Sequence, residues 1–256
     1  MKTEGIILSK SLYQERHLIA RTLLRSGKKV SLIFYGGRGG GKNNKGTLVE
    51  LGHCLKIEVK RARQKNAEIF SVGEWEKKWI PKATRNHSQA FFCLCFFLEV
   101  VDKISLPGNF DESEHNLNEL GNFVVLSNAL FRLEKKCLEK SIESPQEVFL
   151  FLTKILFHQG VFPTLSHCHF CEKGFKNDEP KWQSVEHGGF ICKTCQTDDV
   201  DNHNDLWTLL RNLEGVNYQK ASLASANKKS LQLLWDYFLH HLQIEKNLIK
   251  SASLVI

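Results

Sequence analysis

Four of the eight cysteines in this 256-residue chain have a spacing that suits metal binding. Cys168-His-Phe-Cys171 and Cys192-Lys-Thr-Cys195 form two C-x2-C pairs with twenty residues between them. Two such pairs can present four thiolates tetrahedrally to one ion, and Gly188-Gly189 permits the chain to reverse between them. We therefore predict one structural Zn2+, with redox use of the two pairs as the alternative. The predicted ligands are Cys168, Cys171, Cys192 and Cys195.

A closed set of four thiolates has no open coordination position, so this metal is expected to fold a small lobe and not to activate water. The nearby His167, His169 and His187 are predicted to be surface residues or outer-shell donors. No G-x-S-x-G or H-E-x-x-H motif is present. We expect no catalytic residues, no cofactor-binding residues and no enzyme activity, with a nuclease or zinc-dependent hydrolase as the rival. The remaining cysteines, Cys54, Cys93, Cys95 and Cys137, are predicted to be buried small side chains.

A glycine-rich stretch, YGGRGGGKNNKG at 35–46, matches the G-x-x-x-x-G-K part of a phosphate-binding P-loop. Asn43 follows the lysine, however, and has no hydroxyl group with which to bind magnesium. The residues after it resemble a strand, whereas a P-loop must open a helix. We predict a flexible loop between two strands that carries Arg38, Lys42 and Lys45.

The positive charge is concentrated at the N-terminal end. Residues 1–65 hold 15 Lys and Arg against 4 Glu, whereas the whole chain has a net charge of +7. This excess favours a polyanionic partner such as nucleic acid, the alternative being a solvated basic surface. Tyr13, Phe34 and Tyr35 are candidates for stacking on bases, although Phe34 is more compatible with a barrel core. The predicted phosphate contacts are Arg16, Arg38, Lys42, Lys45, Lys60, Arg61 and Arg63.

Five short segments rich in β-branched and large apolar residues occur in the first eighty residues, at 3–10, 17–25, 28–35, 48–60 and 69–75. They predict a small barrel, either an OB-fold or an SH3-like barrel. Helical patterns follow at 88–106, 116–139, 144–157, 205–213 and 228–248, and their phenylalanines are predicted to form core. We therefore predict an N-terminal domain at 1–79 and a helical domain at 80–256, with the metal lobe inserted at 165–198.

No signal-peptide core or membrane-length apolar run is evident, so a cytoplasmic protein is expected. The longest apolar run, AFFCLCFFL at 90–98, is about half of the length that a membrane span needs.

Several segments carry a family resemblance and occur in order along the chain, namely 4–8, Tyr13, Glu15, 27–32, Gly46, Leu48, 97–104, the four cysteines, 237–242 and 248–251. Through them the chain resembles the RecO family of bacterial recombination mediators over nearly its whole length. The resemblance implies an α+β multidomain protein with an N-terminal OB-fold β-barrel and an all-helical C-terminal domain that carries an inserted four-cysteine zinc lobe. It also implies binding of single- and double-stranded DNA, annealing of complementary strands, and loading of RecA together with RecR onto DNA coated by single-strand-binding protein, at the bacterial nucleoid. The alternative is a zinc-ribbon and OB-fold nucleic-acid-binding factor of transcription or translation.

Overall fold

The structure is a computed structural model that describes residues 2–36, 45–60, 68–108, 121–176, 179–196, 202–218, 221 and 226–256. The chain divides into two compact units, Met1–Ser141 and Ile142–Ile256. Three helices share the first unit with the N-terminal strands. The boundary between independently folding domains at 79/80 stays a prediction.

The first unit begins with five strands, β1 (Lys2–Tyr13), β2 (His17–Leu24), β3 (Lys29–Phe34), β4 (Cys54–Val59) and β5 (Ile69–Trp79). Their order is β1-β2-β3-β5-β4, and β1 also pairs with β4, which closes the barrel. All neighbours are antiparallel except β3 and β5, which are parallel. This five-stranded closed barrel confirms the predicted OB-fold in preference to the SH3-like barrel.

Alternate residues of the strands fill the barrel. On β4 the sequence Cys-Leu-Lys-Ile-Glu-Val places Leu55, Ile57 and Val59 inside and the polar residues outside, as a pleated strand requires. Phe34 is fully buried and meets Trp75 edge to face at a ring separation of 5.2 Å, which confirms it as core. Burying each such side chain stabilises the fold by about 1.5–3 kcal/mol.

The predicted strand at 48–60 is wrong in its first half. Lys45–Leu48 is a 3₁₀ turn, and Gly52 turns the chain with a positive φ of 75° before β4 begins at Cys54. A Cβ atom on Gly52 would lie 2.9 Å from Leu94 Cδ1, so glycine is required by both its conformation and its packing. The last strand, by contrast, extends to Trp79, beyond the predicted end at residue 75.

Helices α1 (Lys82–Arg85), α2 (Ser88–Ile104) and α3 (Gly121–Leu138) complete the first unit. Most of α2 is buried because it packs against both β1 and α3. The prediction that the phenylalanines form core is confirmed for Phe96, Phe97 and Phe123, whereas Phe92 and Phe131 are 37% and 45% exposed. Phe131 packs instead on Trp79, with ring centroids 4.4 Å apart. In the described ranges, no helix is both long enough and apolar enough to cross a membrane.

The second unit contains α4 (Ser144–His158), the hairpin β6 (Lys181–Ser184) and β7 (Gly189–Cys192), α5 (Asn204–Leu213) and α6 (Lys228–His241). The last helix ends earlier than predicted, and the remaining residues form 3₁₀ turns at Lys246–Leu248 and Lys250–Leu254. Phe149 and Phe151 are fully buried on α4, as predicted.

Glu134 joins α3 to the first turn of α1. Its carboxylate accepts hydrogen bonds from the backbone N–H groups of Ala83 at 2.9 Å and Thr84 at 2.8 Å, and from the Thr84 hydroxyl at 2.9 Å. The first N–H groups of a helix have no partner within the helix, and a negative charge there is favourable. A side chain that is 50 positions from Thr84 in the sequence therefore caps a helix that is too short to be stable alone.

We predict that Glu134→Ala lowers the free energy of unfolding by about 2 kcal/mol, because it leaves two backbone donors and one hydroxyl without a charged acceptor. Glu134→Gln retains one acceptor and should cost less. Urea unfolding followed by fluorescence measures both. The matched control is Glu139→Gln, since Glu139 lies 3.8 Å from Lys135 in an exposed pair and its loss should stay within about 0.5 kcal/mol. Equal losses in Glu134→Ala and the control would contradict this role.

His53 is buried next to the turn that precedes β4. Its Nδ1 donates to the carbonyl of Leu48 at 2.9 Å, and its Nε2 has no hydrogen-bond partner among the described residues. Burial lowers the pKa of His53, although the bond to Leu48 opposes this shift. Protonation would place a donor without an acceptor in the interior, so the folded state favours the neutral ring.

A pKa lowered by folding means that the unfolded state binds more protons, so stability is lost as pH falls through the unfolded-state pKa of about 6.5. We predict a smaller fall in the free energy of unfolding between pH 7.5 and 5.5 for His53→Gln than for the wild type. His240→Gln, which changes an exposed residue, should keep the wild-type fall. Urea titrations at both pH values test this, and identical pH dependence in His53→Gln would refute it.

Candidate metal centre and nucleic-acid interface

The structure brings the four predicted ligands together. The Sγ atoms of Cys168, Cys171, Cys192 and Cys195 all lie within 4.8 Å of one another, and those of Cys171 and Cys192 are 3.7 Å apart. Cys168 and Cys192 are buried, whereas Cys171 is exposed. This four-cysteine cluster can hold a metal ion.

Local backbone geometry makes the cluster. In the first knuckle the N–H of Cys168 donates to the carbonyl of Lys173, and Glu172 takes the left-handed φ of 56° that the tight turn needs. The β6–β7 hairpin brings Cys192 to the end of β7, with Gly188 at φ 77° in its turn. In the second knuckle the N–H of Cys195 donates to the carbonyl of Cys192 at 3.1 Å. Each C-x2-C pair thus supplies two sulfurs to one point.

Nearby backbone N–H groups favour the thiolate form of the two buried cysteines, Cys168 and Cys192. Burial alone would raise the pKa of Cys168, but backbone N–H groups of Cys171, Cys192 and Phe170 outweigh it and bring the pKa to about 6. The pKa of Cys192 is also lowered, against burial, by the N–H groups of its own knuckle. Burial and the neighbouring sulfurs raise the pKa of Cys195. Four thiolates at this separation repel one another, and a cation among them removes that repulsion.

The cluster belongs to the cysteine lobe, which we define as the segment 165–196 around β6 and β7. The lobe is held by the helices of its own unit. The N–H of Lys181 donates to Asn204 Oδ1 at 2.8 Å at the start of α5, and the N–H of Gln183 donates to His203 Nδ1 at 2.9 Å. At the other end of the hairpin, His241 Nε2 on α6 donates to the carbonyl of Val185 at 2.7 Å.

Other polar residues of the lobe have separate roles. His167 and His187 form hydrogen bonds with serine hydroxyls, and His187 also meets Phe170 with ring centroids 4.6 Å apart. The sequence pattern does not predict the buried Lys181. Its ammonium donates to the carbonyls of Lys176 and Glu179 and lies 4.2 Å from the centre of the Trp207 ring.

Outside the lobe, burial raises the pKa of the Cys54 thiol to about 11, as expected for an inert cysteine.

A second candidate site lies on the outside of the barrel, where β1, β2 and β3 pair side by side. Tyr13 is opposite His17 in the β1–β2 register, and the rings of His17 and Tyr35 meet at 5.0 Å. His17 Nδ1 accepts from the N–H of Gly36 at 3.1 Å, which fixes the imidazole ring. Tyr13 and Tyr35 are 41% and 52% exposed. We call Tyr13, His17 and Tyr35 the aromatic row.

Both tyrosines are predicted from the sequence, but His17 is not. The sequence does contain a signal for His17, because it follows the turn that ends β1 at Tyr13. A two-stranded hairpin places the residues on either side of its turn opposite each other. The contact between His17 and Tyr35 depends on the pairing of β2 with β3, which the sequence pattern does not specify.

Only part of the predicted phosphate-contact set can be placed. Arg16 is exposed in the β1–β2 turn beside the aromatic row, and Lys60 is exposed just after β4. Neither makes an ion pair with any residue that the structure describes. The backbone of Lys45 lies in the 3₁₀ turn at Lys45–Leu48, and its side chain is not described. Arg38, Lys42, Arg61 and Arg63 lie outside the described residues.

Many other cations of the barrel are already paired with carboxylates. Glu50 binds Lys10 and Arg85, and Glu4 binds Arg25 and Lys78. These ion pairs reduce the positive electrostatic potential at the surface of the strands. Within the described residues, Arg16 in the β1–β2 turn is one of the exposed cations that keep their charge outside such pairs.

Comparison with known proteins agrees with the fold and with the cluster. The family profile described as "Recombination protein O C terminal" matches residues 89–248, which is more than half of the chain and includes all four clustered cysteines. No curated protein matches the chain significantly. The chain belongs to the RecO family of recombination and repair proteins.

Proposed function

We propose that this chain is a non-enzymatic recombination mediator that binds single- and double-stranded DNA and anneals complementary strands. With RecR, it helps to load RecA onto DNA coated by single-strand-binding protein. Family membership supports the general role in recombination and repair. The exposed aromatic row beside Arg16, on the outside of the barrel, is the observation that carries DNA binding by this chain.

The outer face of β2 and β3 is the face with which OB-folds bind oligonucleotides. Here it offers two exposed tyrosine rings and an imidazole, on which unpaired bases can stack without sequence preference. Arg16 and Lys60 are open to phosphate groups, and the predicted contacts Arg38, Lys42, Lys45, Arg61 and Arg63 would add to them. Binding of this kind depends on counterion release, so the affinity should fall steeply with salt.

Annealing requires two polyanions to approach with their bases accessible. Cations that replace condensed counterions lower the repulsion between the strands. Stacking on an outer sheet face leaves the pairing edges of the bases free, whereas binding in a closed pocket would hide them. These two properties support the proposed annealing activity, which requires no bond to be broken.

For the metal we propose Zn2+. A Zn–S distance of about 2.3 Å in a tetrahedral site places the sulfurs about 3.8 Å apart. The separation of 3.7 Å between Cys171 and Cys192, with all pairs within 4.8 Å, fits this requirement. The ion would fold the lobe and, because hydrogen bonds join the hairpin to α5 and α6, would stabilise the second unit.

We predict that Cys168→Ser reduces bound zinc from about one per chain to nearly none and lowers the midpoint of thermal unfolding. DNA binding by the barrel should be largely kept, since the barrel belongs to the other compact unit. Mass spectrometry of metals after dialysis, calorimetry and oligonucleotide binding measure the three effects. Cys137→Ser, which alters a cysteine outside the cluster, should retain the zinc. Full zinc retention in Cys168→Ser would contradict the ligand assignment.

We predict that Tyr35→Ala weakens binding of single-stranded DNA by about 5- to 100-fold, the range expected for losing one base stack. Its salt slope should not change because no charge is lost. Tyr35→Phe, which keeps the ring, should bind like the wild type, as should Phe157→Ala, which removes an exposed ring from the second unit. Fluorescence anisotropy with labelled oligothymidylate measures the affinity.

The same proteins should be tested for annealing of complementary strands precoated with single-strand-binding protein, over a range of salt concentrations. Tyr35→Ala should anneal more slowly than the wild type. A wild-type protein that does not anneal would refute the mediator function. Preference for RNA over DNA would favour the transcription or translation factor, and metal-dependent cleavage of DNA would favour an enzyme.

A further inference from the structure

Arg21 lies on the outer face of β2, on the same sheet face as the aromatic row. In the register it is opposite Ser9 of β1 and Ser31 of β3. It lies four positions after His17, which corresponds to about 13 Å along a strand. A nucleic-acid strand bound on the aromatic row would cover that distance with about four nucleotides at the spacing of stacked bases.

The Arg21 side chain is fixed in place by two partners. Its Nε donates to Ser9 Oγ at 2.9 Å, and its Nη2 lies 2.9 Å from Asp102 Oδ2 on α2. The side chain is nevertheless 49% exposed, whereas that of Asp102 is 6% exposed. A guanidinium group has five N–H donors in a rigid fork. Two contacts therefore orient it and leave donors that face solvent.

In the part of the chain that the structure describes, the charges around Asp102 do not balance. Lys29 Nζ lies 3.5 Å from Asp102 Oδ1 and also donates to the Asp102 backbone carbonyl. The Lys29 side chain is only 18% exposed, so this cation already compensates the buried carboxylate. Asp102, Lys29 and Arg21 together carry a net charge of +1, and that charge reaches solvent through Arg21. The exposed one-to-one pair of Lys56 and Glu76, at 3.2 Å, has no such excess.

We propose that Arg21 is a phosphate contact of the nucleic-acid-binding face, and that Asp102 and Ser9 are the residues that position it. The inference rests on the proposed function, because it names a contact within that face. A guanidinium group that is held in place but keeps solvent-facing donors binds a phosphodiester more strongly than a mobile surface lysine, since little side-chain freedom is lost on binding. No charge run or motif in the sequence marks Arg21 for this role.

The test measures the affinity for labelled oligothymidylate at several salt concentrations by fluorescence anisotropy. Arg21→Gln should bind about 5- to 10-fold more weakly at low salt, and its salt slope should be smaller by about 0.7, the value for one phosphate of a single strand. Lys56→Gln removes one charge from β4 and is the matched control. Its salt slope should stay close to that of the wild type.

Two further variants separate positioning from charge. Arg21→Lys keeps a cation near Asp102, and therefore the fold, but loses the fork, so its affinity should be intermediate between those of the wild type and Arg21→Gln. Ser9→Ala removes the Nε partner without changing the charge, so it should weaken binding by about 2-fold with an unchanged salt slope. Circular dichroism and thermal unfolding verify that each variant is folded.

The outcomes separate the two hypotheses. If the wild type binds oligothymidylate but Arg21→Gln and Lys56→Gln behave alike, Arg21 only joins α2 to the barrel and the inference fails, while the proposed function stands. Failure of the wild type to bind at low salt overturns both. Inorganic phosphate at equal ionic strength distinguishes a site for phosphodiesters from one for free phosphate. Competition that depends on Arg21 and is complete at millimolar phosphate would contradict a nucleic-acid contact.

Discussion

Closure of the five-stranded barrel is the constraint on which the first unit depends. The parallel pairing of β3 with β5 and the antiparallel pairing of β1 with β4 leave the barrel without an unpaired edge. Once the register is set, each outward residue has determined neighbours across the strands. Tyr13, His17 and Tyr35 become one surface in this way, although 22 positions separate the first from the last. The inward residues form the core that maintains the register.

The net charge of the N-terminal segment overstates the positive charge that is open to a ligand, because several of its cations form ion pairs. The basic excess of the first 65 residues is real, but several of its cations are bound to Glu4, Glu50 and Asp102. An exposed pair of this kind contributes little to stability and also reduces attraction for a ligand. All three carboxylates are shared by two cations, but Asp102 differs in its burial, since its side chain is 6% exposed whereas those of Glu4 and Glu50 are 20% and 28% exposed. A buried carboxylate is strongly destabilising unless a cation compensates its charge. A second cation beside it leaves the group with a net positive charge.

The cysteine lobe of the second unit needs stabilising contacts beyond the pairing of its own two strands. Its hairpin strands have only four residues each, and a two-stranded sheet of that size is not stable alone. Trp182 and Ile191 form a small apolar cluster with the cysteines, and hydrogen bonds from α5 and α6 hold the two ends of the hairpin. An ion bound by the four sulfurs would connect both knuckles to this cluster. The metal is thus expected to be structural, because a closed set of four thiolates has no open coordination position.

The sequence by itself determined the number and rough position of the five strands, the main helices and the four sulfur ligands. These depend on local patterns, namely strand alternation, helical periodicity and the short C-x2-C spacing. It did not determine the turn at Gly52, the cap that Glu134 supplies to α1, the addition of His17 to the aromatic row or the shared carboxylate of Asp102. Each of these requires residues far apart in the chain to meet, as Arg21 and Asp102 do. Only tertiary structure decides such contacts, because local periodicity carries no information about which outward residues become neighbours when a barrel closes and a helix packs on it.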